Sequence, residues 1–183
     1  MIQKIHILGA SGSGTTTLGE ELSKKLGYQH IDTDNYFWVP TDPPFQVKRD
    51  TKDRQELLMK ELKNHSNWIL TGSLCGWGDI FIPMFDLVVY LWIPADLRLN
   101  RLHVREAKRY GKDAVMEGGC HYEKTKVFLD WASKYDTGGM EVRSRVLHDH
   151  WLQSLTCPVI RLEGDLTVED RVRKVEDFIS KNN

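Results

Sequence analysis

The stretch Gly9-Ala10-Ser11-Gly12-Ser13-Gly14-Thr15-Thr16-Thr17 has the spacing G-x-x-x-x-G-K-[ST] of a phosphate-binding loop, with Thr15 where that spacing calls for lysine. The apolar run Ile5-His6-Ile7-Leu8 precedes it, and Leu18, Leu22 and Leu26 follow at intervals of four. Strand, loop and helix thus stand in the order the motif requires. Glycines at 9, 12 and 14 let successive backbone N–H groups turn inward as an anion-binding nest, and a helix opening at Thr15 adds the positive end of its dipole. Thr16 holds the position whose hydroxyl completes a Mg²⁺ shell. Thr15 removes a mobile point charge from the phosphates, so that charge has to come from elsewhere.

The chain has 183 residues, 40% hydrophobic and 28% charged, which suits one globular domain with a substantial core. A net charge of −1 gives no basic excess that argues for nucleic acid or an anionic membrane. The longest apolar stretch, residues 87–93, is too short to span a bilayer, and Met1-Ile2-Gln3-Lys4 shows no signal-peptide pattern. A cytoplasmic location with no membrane partner is expected. Cys75, Cys120 and Cys157 are widely spaced with no C-x-x-C pair, so neither a disulfide framework nor a thiolate zinc site is indicated.

Strand and helix patterns alternate along the whole chain. Candidate strands are 4–8, 29–32, 68–71, 86–92 and 158–162; candidate helices lie near 15–26, 50–64, 96–110, 122–133, 141–154 and 167–180. Short apolar strands separated by helices predict a parallel sheet covered on both faces, a doubly wound α/β domain. Gly27 is placed to close the first helix, and Thr167 with Asp170 forms a capping box ahead of the stripe Val168, Val172, Val175 and Ile179. The segment 93–157 exceeds a minimal crossover and offers room for a mobile lid.

Ligands of open parallel sheets bind beyond the carboxyl ends of the strands. There the chain carries Asp32-Thr33-Asp34, two carboxylates at i and i+2 that would point the same way in an extended segment. They serve either as hard donors to a metal and to a substrate hydroxyl, or as turn caps. Thr71-Gly72-Ser73-Leu74-Cys75-Gly76-Trp77 follows the third strand and reads either as a substrate-side wall or as a flexible loop whose indole plugs the core. Tyr36, Phe37 and Trp38, with prolines after them, suit the stacking of a planar ring or packing on the core. Arg98, Arg101, Arg105 and Arg109 recur at spacings of three and four, which predicts one basic helix face, with Glu106 beside it as an alternative partner. Arg143 and Arg145 form a weaker second set. His148-Asp149-His150 does not place both rings on one helix face, and no G-x-S-x-G elbow is present.

In these features the chain resembles the P-loop kinases of nucleoside monophosphates and small metabolites, the adenylate, cytidylate and shikimate kinase group. It looks most like bacterial adenylate-kinase-like ATPases of unassigned substrate. The resemblance implies a five-stranded parallel sheet of P-loop NTPase type forming one domain, 1–183, with a helical lid within 96–145. It implies that Gly9, Ser11, Gly12, Ser13, Gly14, Thr15, Thr16 and Thr17 hold the phosphates of ATP and that Thr16 and Asp32 ligate Mg²⁺. Asp32 and Asp34 would face metal and acceptor, Arg101 and Arg105 would close over the donor, and Trp38, Gly72, Ser73 and Trp77 would meet a small-molecule acceptor. Phosphoryl transfer is the expected activity; the alternative is a nucleotide sensor that lost turnover with its lysine.

Overall fold

The computed structural model describes residues 1–182, so Asn183, the last residue of the expected domain, lies outside the described residues. Its elements run β1 (Lys4–Gly9), α1 (Thr15–Leu26), β2 (Gln29–Asp32), α2 (Asp34–Phe37), β3 (Trp38–Val39), β4 (Val47–Lys48), α3 (Thr51–Lys63) and β5 (Trp68–Thr71). A 3-10 helix (Asp79–Met84), β6 (Leu87–Trp92), α4 (Ala95–Tyr110), α5 (Lys112–Val115), α6 (Tyr122–Ser133), α7 (Arg145–Leu152), β7 (Val159–Glu163) and α8 (Val168–Asn182) follow. Five strands form a parallel sheet in the order β2-β5-β1-β6-β7, and β3 pairs with β4 in a separate antiparallel hairpin. This is the doubly wound sheet that alternating strands and helices predict.

Period-two alternation sends successive strand residues to opposite layers. Ile5, Ile7, Val89 and Leu91 meet Leu18 and Leu22 of α1 and Val172, Val175 and Ile179 of α8. Leu8, Leu70, Val88 and Tyr90 meet Leu58 and Leu62 of α3, Phe81 of the 3-10 helix, and Trp151 of α7. Each fully buried leucine or isoleucine contributes about 1.5–3 kcal/mol, so the two layers fix β1 at the centre of the sheet. The segment expected to hold a lid has a small cluster of its own, in which Leu102 of α4 packs on Leu129 and Ala132 of α6.

Element boundaries move for local reasons. Asp86 leaves its strand because its carboxylate accepts the backbone N–H groups of Gln3 and Lys4, each at 2.9 Å. Pro158 precedes β7, and its carbonyl accepts from Val88. The helix expected over 141–154 shortens to Arg145–Leu152, because Ser144 caps it by accepting from Leu147 N–H at 3.0 Å. Gly27 ends α1 in the left-handed conformation, and Thr167 caps Asp170 N–H at 3.1 Å, both as expected.

His6 sits fully buried on the central strand, stacked on Phe85, with Nδ1 against the Leu70 carbonyl at 3.0 Å. Burial, outweighing that hydrogen bond, lowers its pKa from 6.5 to about 4. The folded ring therefore stays neutral where the unfolded chain already binds a proton. Stability should fall as pH drops through this window, by up to about 1.4 kcal/mol per pH unit for one histidine. Denaturant unfolding at pH 7, 5 and 4 should show this slope, and His6→Phe, which keeps the ring stack, should reduce it; equal slopes in both proteins would contradict the assignment.

Candidate functional site

β1 ends at Gly9 in the middle of the sheet, and the chain turns there into α1. The turn closes with Ser13 N–H donating to the Ala10 carbonyl at 3.0 Å, and Gly14 enters the helix with φ +93°. The first N–H groups of α1, on Thr15, Thr16 and Thr17, have no carbonyl one turn earlier in the helix, and no acidic residue or side-chain cap serves that end. The result is an unneutralised positive pole at the carboxyl edge of the sheet, a fit for an anion.

A cleft of about 860 Å³ opens over this pole. Its floor is the loop from Gly9 to Thr17 with the exception of Ser13, and its walls include Asp32, Asp34, Gly72, Ser73, Arg101 and Arg105. Three expected contacts lie elsewhere. Ser13 has a fully buried side chain and spends its N–H on the turn, so it shapes the loop from behind. Trp77, 5% exposed, packs edge-on against Phe37 and Phe81, and its indole N–H donates to the Ser73 carbonyl at 3.1 Å; it is a core residue and no wall of the cleft. Trp38 packs between Phe37 and Phe45 and does not line the cleft; of that aromatic group Phe45 does.

Thr16 Oγ1 donates to Asp32 Oδ2 at 3.1 Å, and Asp32 Oδ1 accepts from Asp34 N–H at 2.9 Å. A hydroxyl and a carboxylate so placed beside a phosphate cradle are hard oxygen donors. No group of three or more His, Cys, Asp or Glu fit to hold a metal exists among the described residues. That set suits Mg²⁺, which takes one or two protein ligands and keeps its waters and phosphate oxygens. Asp34 is open to water yet set in a concave wall. Partial desolvation and neighbouring Asp32 raise its pKa, while Arg143 and Arg105 pull it down.

Gly72, directly after β5, stands where only glycine fits. It has φ +109°, and a Cβ there would lie 1.9 Å from Thr33 Oγ1. Next to it, Ser73 Oγ meets His148 Nε2 at 3.3 Å, His148 Nδ1 meets the Tyr135 hydroxyl at 2.7 Å, and Tyr135 meets Tyr90 at 2.8 Å. Burial, aided by Arg143, lowers the His148 pKa to about 3, so this chain is a neutral brace between α7, the sheet and the cleft wall.

The arginine face divides in two. Arg98 turns inward, 0% exposed, where it pairs with Asp136 and donates to the Ile93 and Ala132 carbonyls at 3.3 and 3.4 Å. It ties α4 to the end of α6 and takes no part in the cleft. Arg101, Arg105 and Arg109 line the cleft, each held by an acid: Arg101 by Asp165, Arg105 and Arg109 by Glu106, all at 3.1 Å. Two further arginines reach the cleft without an ion pair among the described residues, Arg143 before α7 and Arg171 in α8. Arg171 escaped sequence reasoning because it lies in the apolar stripe of its helix.

Two stabilities should separate frame from cleft. Arg98→Leu should cost about 3 kcal/mol by leaving Asp136 unpaired, whereas Arg105→Ala should stay within about 0.5 kcal/mol. Gly72→Ala should cost about 2 kcal/mol or more through the Thr33 clash and positive φ. Urea unfolding checks all three; a tolerated Arg98→Leu would contradict the division.

A protein-family model described as an AAA domain matches residues 5–125. The chain is 54% identical over 182 residues, all of both chains, to the uncharacterized protein YqaC of Bacillus subtilis (strain 168). It is 31% identical over 111 residues to shikimate kinase 2 of Serratia proteamaculans (strain 568), a match spanning 56% of this chain and 64% of that protein, a little under two thirds of its length. A solved structure of shikimate kinase from Acinetobacter baumannii in complex with shikimate overlays with a TM-score of 0.61 at 19% identity, over 100% of this chain and 96% of that one, which shows a shared fold. With its phosphate-binding loop, its sheet order and its cleft in place, the chain belongs to the AAA domain family of P-loop proteins.

Proposed function

We propose that this protein transfers a phosphoryl group from ATP to a small-molecule acceptor. The observation that carries the reading is the meeting, in one cleft, of the amide-lined loop, the Thr16–Asp32 pair, Asp34 and a row of arginines. The similarity to shikimate kinase supports phosphoryl transfer in general; the acceptor is a separate question.

In this reading Gly9, Ser11, Gly12, Gly14, Thr15, Thr16 and Thr17 hold the phosphates of ATP. Thr16 and Asp32 would hold Mg²⁺, which supplies charge neutralisation on the phosphate oxygens when bound. Asp34 accepts the proton of an acceptor hydroxyl. Its raised pKa favours that role, because a base with a pKa nearer the working pH is the more effective one. Gly72 and Ser73 form the acceptor wall, and its aromatic face is Phe45 in place of Trp38 and Trp77. Arg101 and Arg105 exchange their acid partners for phosphate oxygens when the lid within 96–145 closes on a single domain. Closure excludes water and fixes the in-line geometry on which this chemistry depends. No helix among the described residues is long and apolar enough to cross a membrane, and the reading places the protein in the cytoplasm. Thr15 favours the one competing reading, a sensor that binds nucleotide without turnover.

A coupled ADP assay over nucleoside monophosphates, nucleosides and hydroxy acids separates them. Acceptor-dependent ADP formation is expected with one class. Asp34→Asn should lower kcat by about a hundredfold or more while Mg·ATP affinity changes less than about threefold. The acid limb of the kcat/KM profile, which reports the free enzyme, should lie above the ordinary aspartate range. Tight ATP binding with no acceptor-dependent ADP from the whole panel would favour the sensor.

A further inference from the structure

α8 carries Arg171 within its buried stripe, beside Val172 and Val175. The residue is 3% exposed, yet it lines the cleft next to the phosphate-binding loop. Its Nη1 donates to the Ser13 carbonyl at 2.8 Å, and an added Cβ on Gly14 would stand 3.2 Å from the same atom. Nε and Nη2, the opposite edge of the guanidinium fork, have no hydrogen-bond partner. No carboxylate neutralises it among the described residues: Asp165, which acts on it electrostatically, is paired with Arg101. Burial and the nearby Arg101 lower its pKa, the signature of a charge held against its own solvation.

A guanidinium in such a place is costly to keep, since a buried charge without a counterion is among the most destabilising features a fold can carry. An apolar side chain of similar length would complete the stripe of α8 better. The cost has a reason if an anion enters the cleft. The Nε–Nη2 edge is the one that grips two oxygens of a phosphate at once, and the bond to Ser13 already fixes the plane of the fork.

Resting on the nucleotide-binding reading above, we infer that Arg171 is a phosphate-binding residue: it supplies to the triphosphate chain of a nucleotide the fixed positive charge that Thr15 does not. It differs from Arg101, Arg105 and Arg109, which are bound to acids and lie on the lid segment. Arg171 lies on the sheet-packed frame, so its charge stands at the loop before any closure.

Calorimetric titration of the full chain with Mg·ATP, AMP and adenosine, with thermal unfolding of each protein alone, tests this. Arg171→Met should weaken Mg·ATP by about tenfold to a hundredfold, the worth of a hydrogen bond to a charged group. AMP should lose less and adenosine less than about twofold, while the ligand-free protein stays as stable as before. Equal Mg·ATP affinity in the folded variant, or an equal loss for adenosine and ATP, would overturn the inference and leave the kinase reading standing. If Arg171→Met does not fold, Arg171→Lys keeps the charge without the fork and should weaken Mg·ATP by about threefold or more; unchanged affinity there would overturn it as well. No binding of Mg·ATP by the unaltered protein would instead remove the nucleotide reading, and this inference with it.

Discussion

The structure depends on one junction, the turn at which β1 leaves the centre of the sheet and its last residue hands the chain to α1. Both hydrophobic layers converge on β1, through Ile5 and Ile7 on one side and Leu8 on the other, so the turn is fixed to the stiffest part of the molecule. Because α1 begins there with no acidic first turn and no side-chain cap, its positive pole faces an open cleft unneutralised. The other strands matter to function by where they end relative to that pole. β2 delivers Asp32 to within 3.1 Å of Thr16, and its neighbour β5 delivers Gly72 and Ser73 to the cleft beside it.

Charge around the cleft is sorted by mobility. Arg101, Arg105 and Arg109 of α4 are each paired with an acid, and the Glu106 carboxylate serves two of them while itself nearly buried. The Arg101–Asp165 pair, exposed on both sides, is cheap to exchange, since exposed ion pairs are worth about 0–1 kcal/mol. Arg143 and Arg171 are different: neither has an ion pair among the described residues, Arg143 faces Asp34 from the wall, and Arg171 is buried with one edge of its fork unpartnered. A loop without its lysine is thus surrounded by guanidinium groups at two levels, one fixed in the frame and one on the segment that packs as its own small cluster.

The fold was legible because its signals are local and repeated. Apolar runs of four to seven residues alternating with helical spacings at Leu18, Leu22 and Leu26 leave few topologies, and the glycine spacing at 9, 12 and 14 places the cleft. Side chains whose roles rest on long-range packing were not legible. Trp77 read either as a wall of the site or as an indole plugging the core, and only long-range packing decides for the second, because an indole beside Phe37 and Phe81 gains more from burial than from a wet cleft. Helical periodicity placed Arg98 with Arg101 and Arg105, whereas its partner Asp136 lies 38 residues away and decides its direction. Arg171 was hidden by the opposite effect, since a lone cation in an apolar stripe looks like an interruption until Ser13, 158 residues away, is seen to accept its bond. The one available signal was its mismatch with the valines around it. The short α2 and the β3–β4 hairpin carry too few residues for periodicity to register.

The central claim is that a phosphate chain lies on the amides opening α1, with a fixed guanidinium beside them in place of the missing ammonium group. A crystal structure of the protein with a non-hydrolysable ATP analogue and Mg²⁺ tests it most directly. The expected result is triphosphate density on the N–H groups of Gly14 to Thr17, the metal at Thr16 and Asp32, and the Arg171 fork on a phosphate oxygen. Nucleotide bound elsewhere in the cleft, with that loop empty, would contradict it.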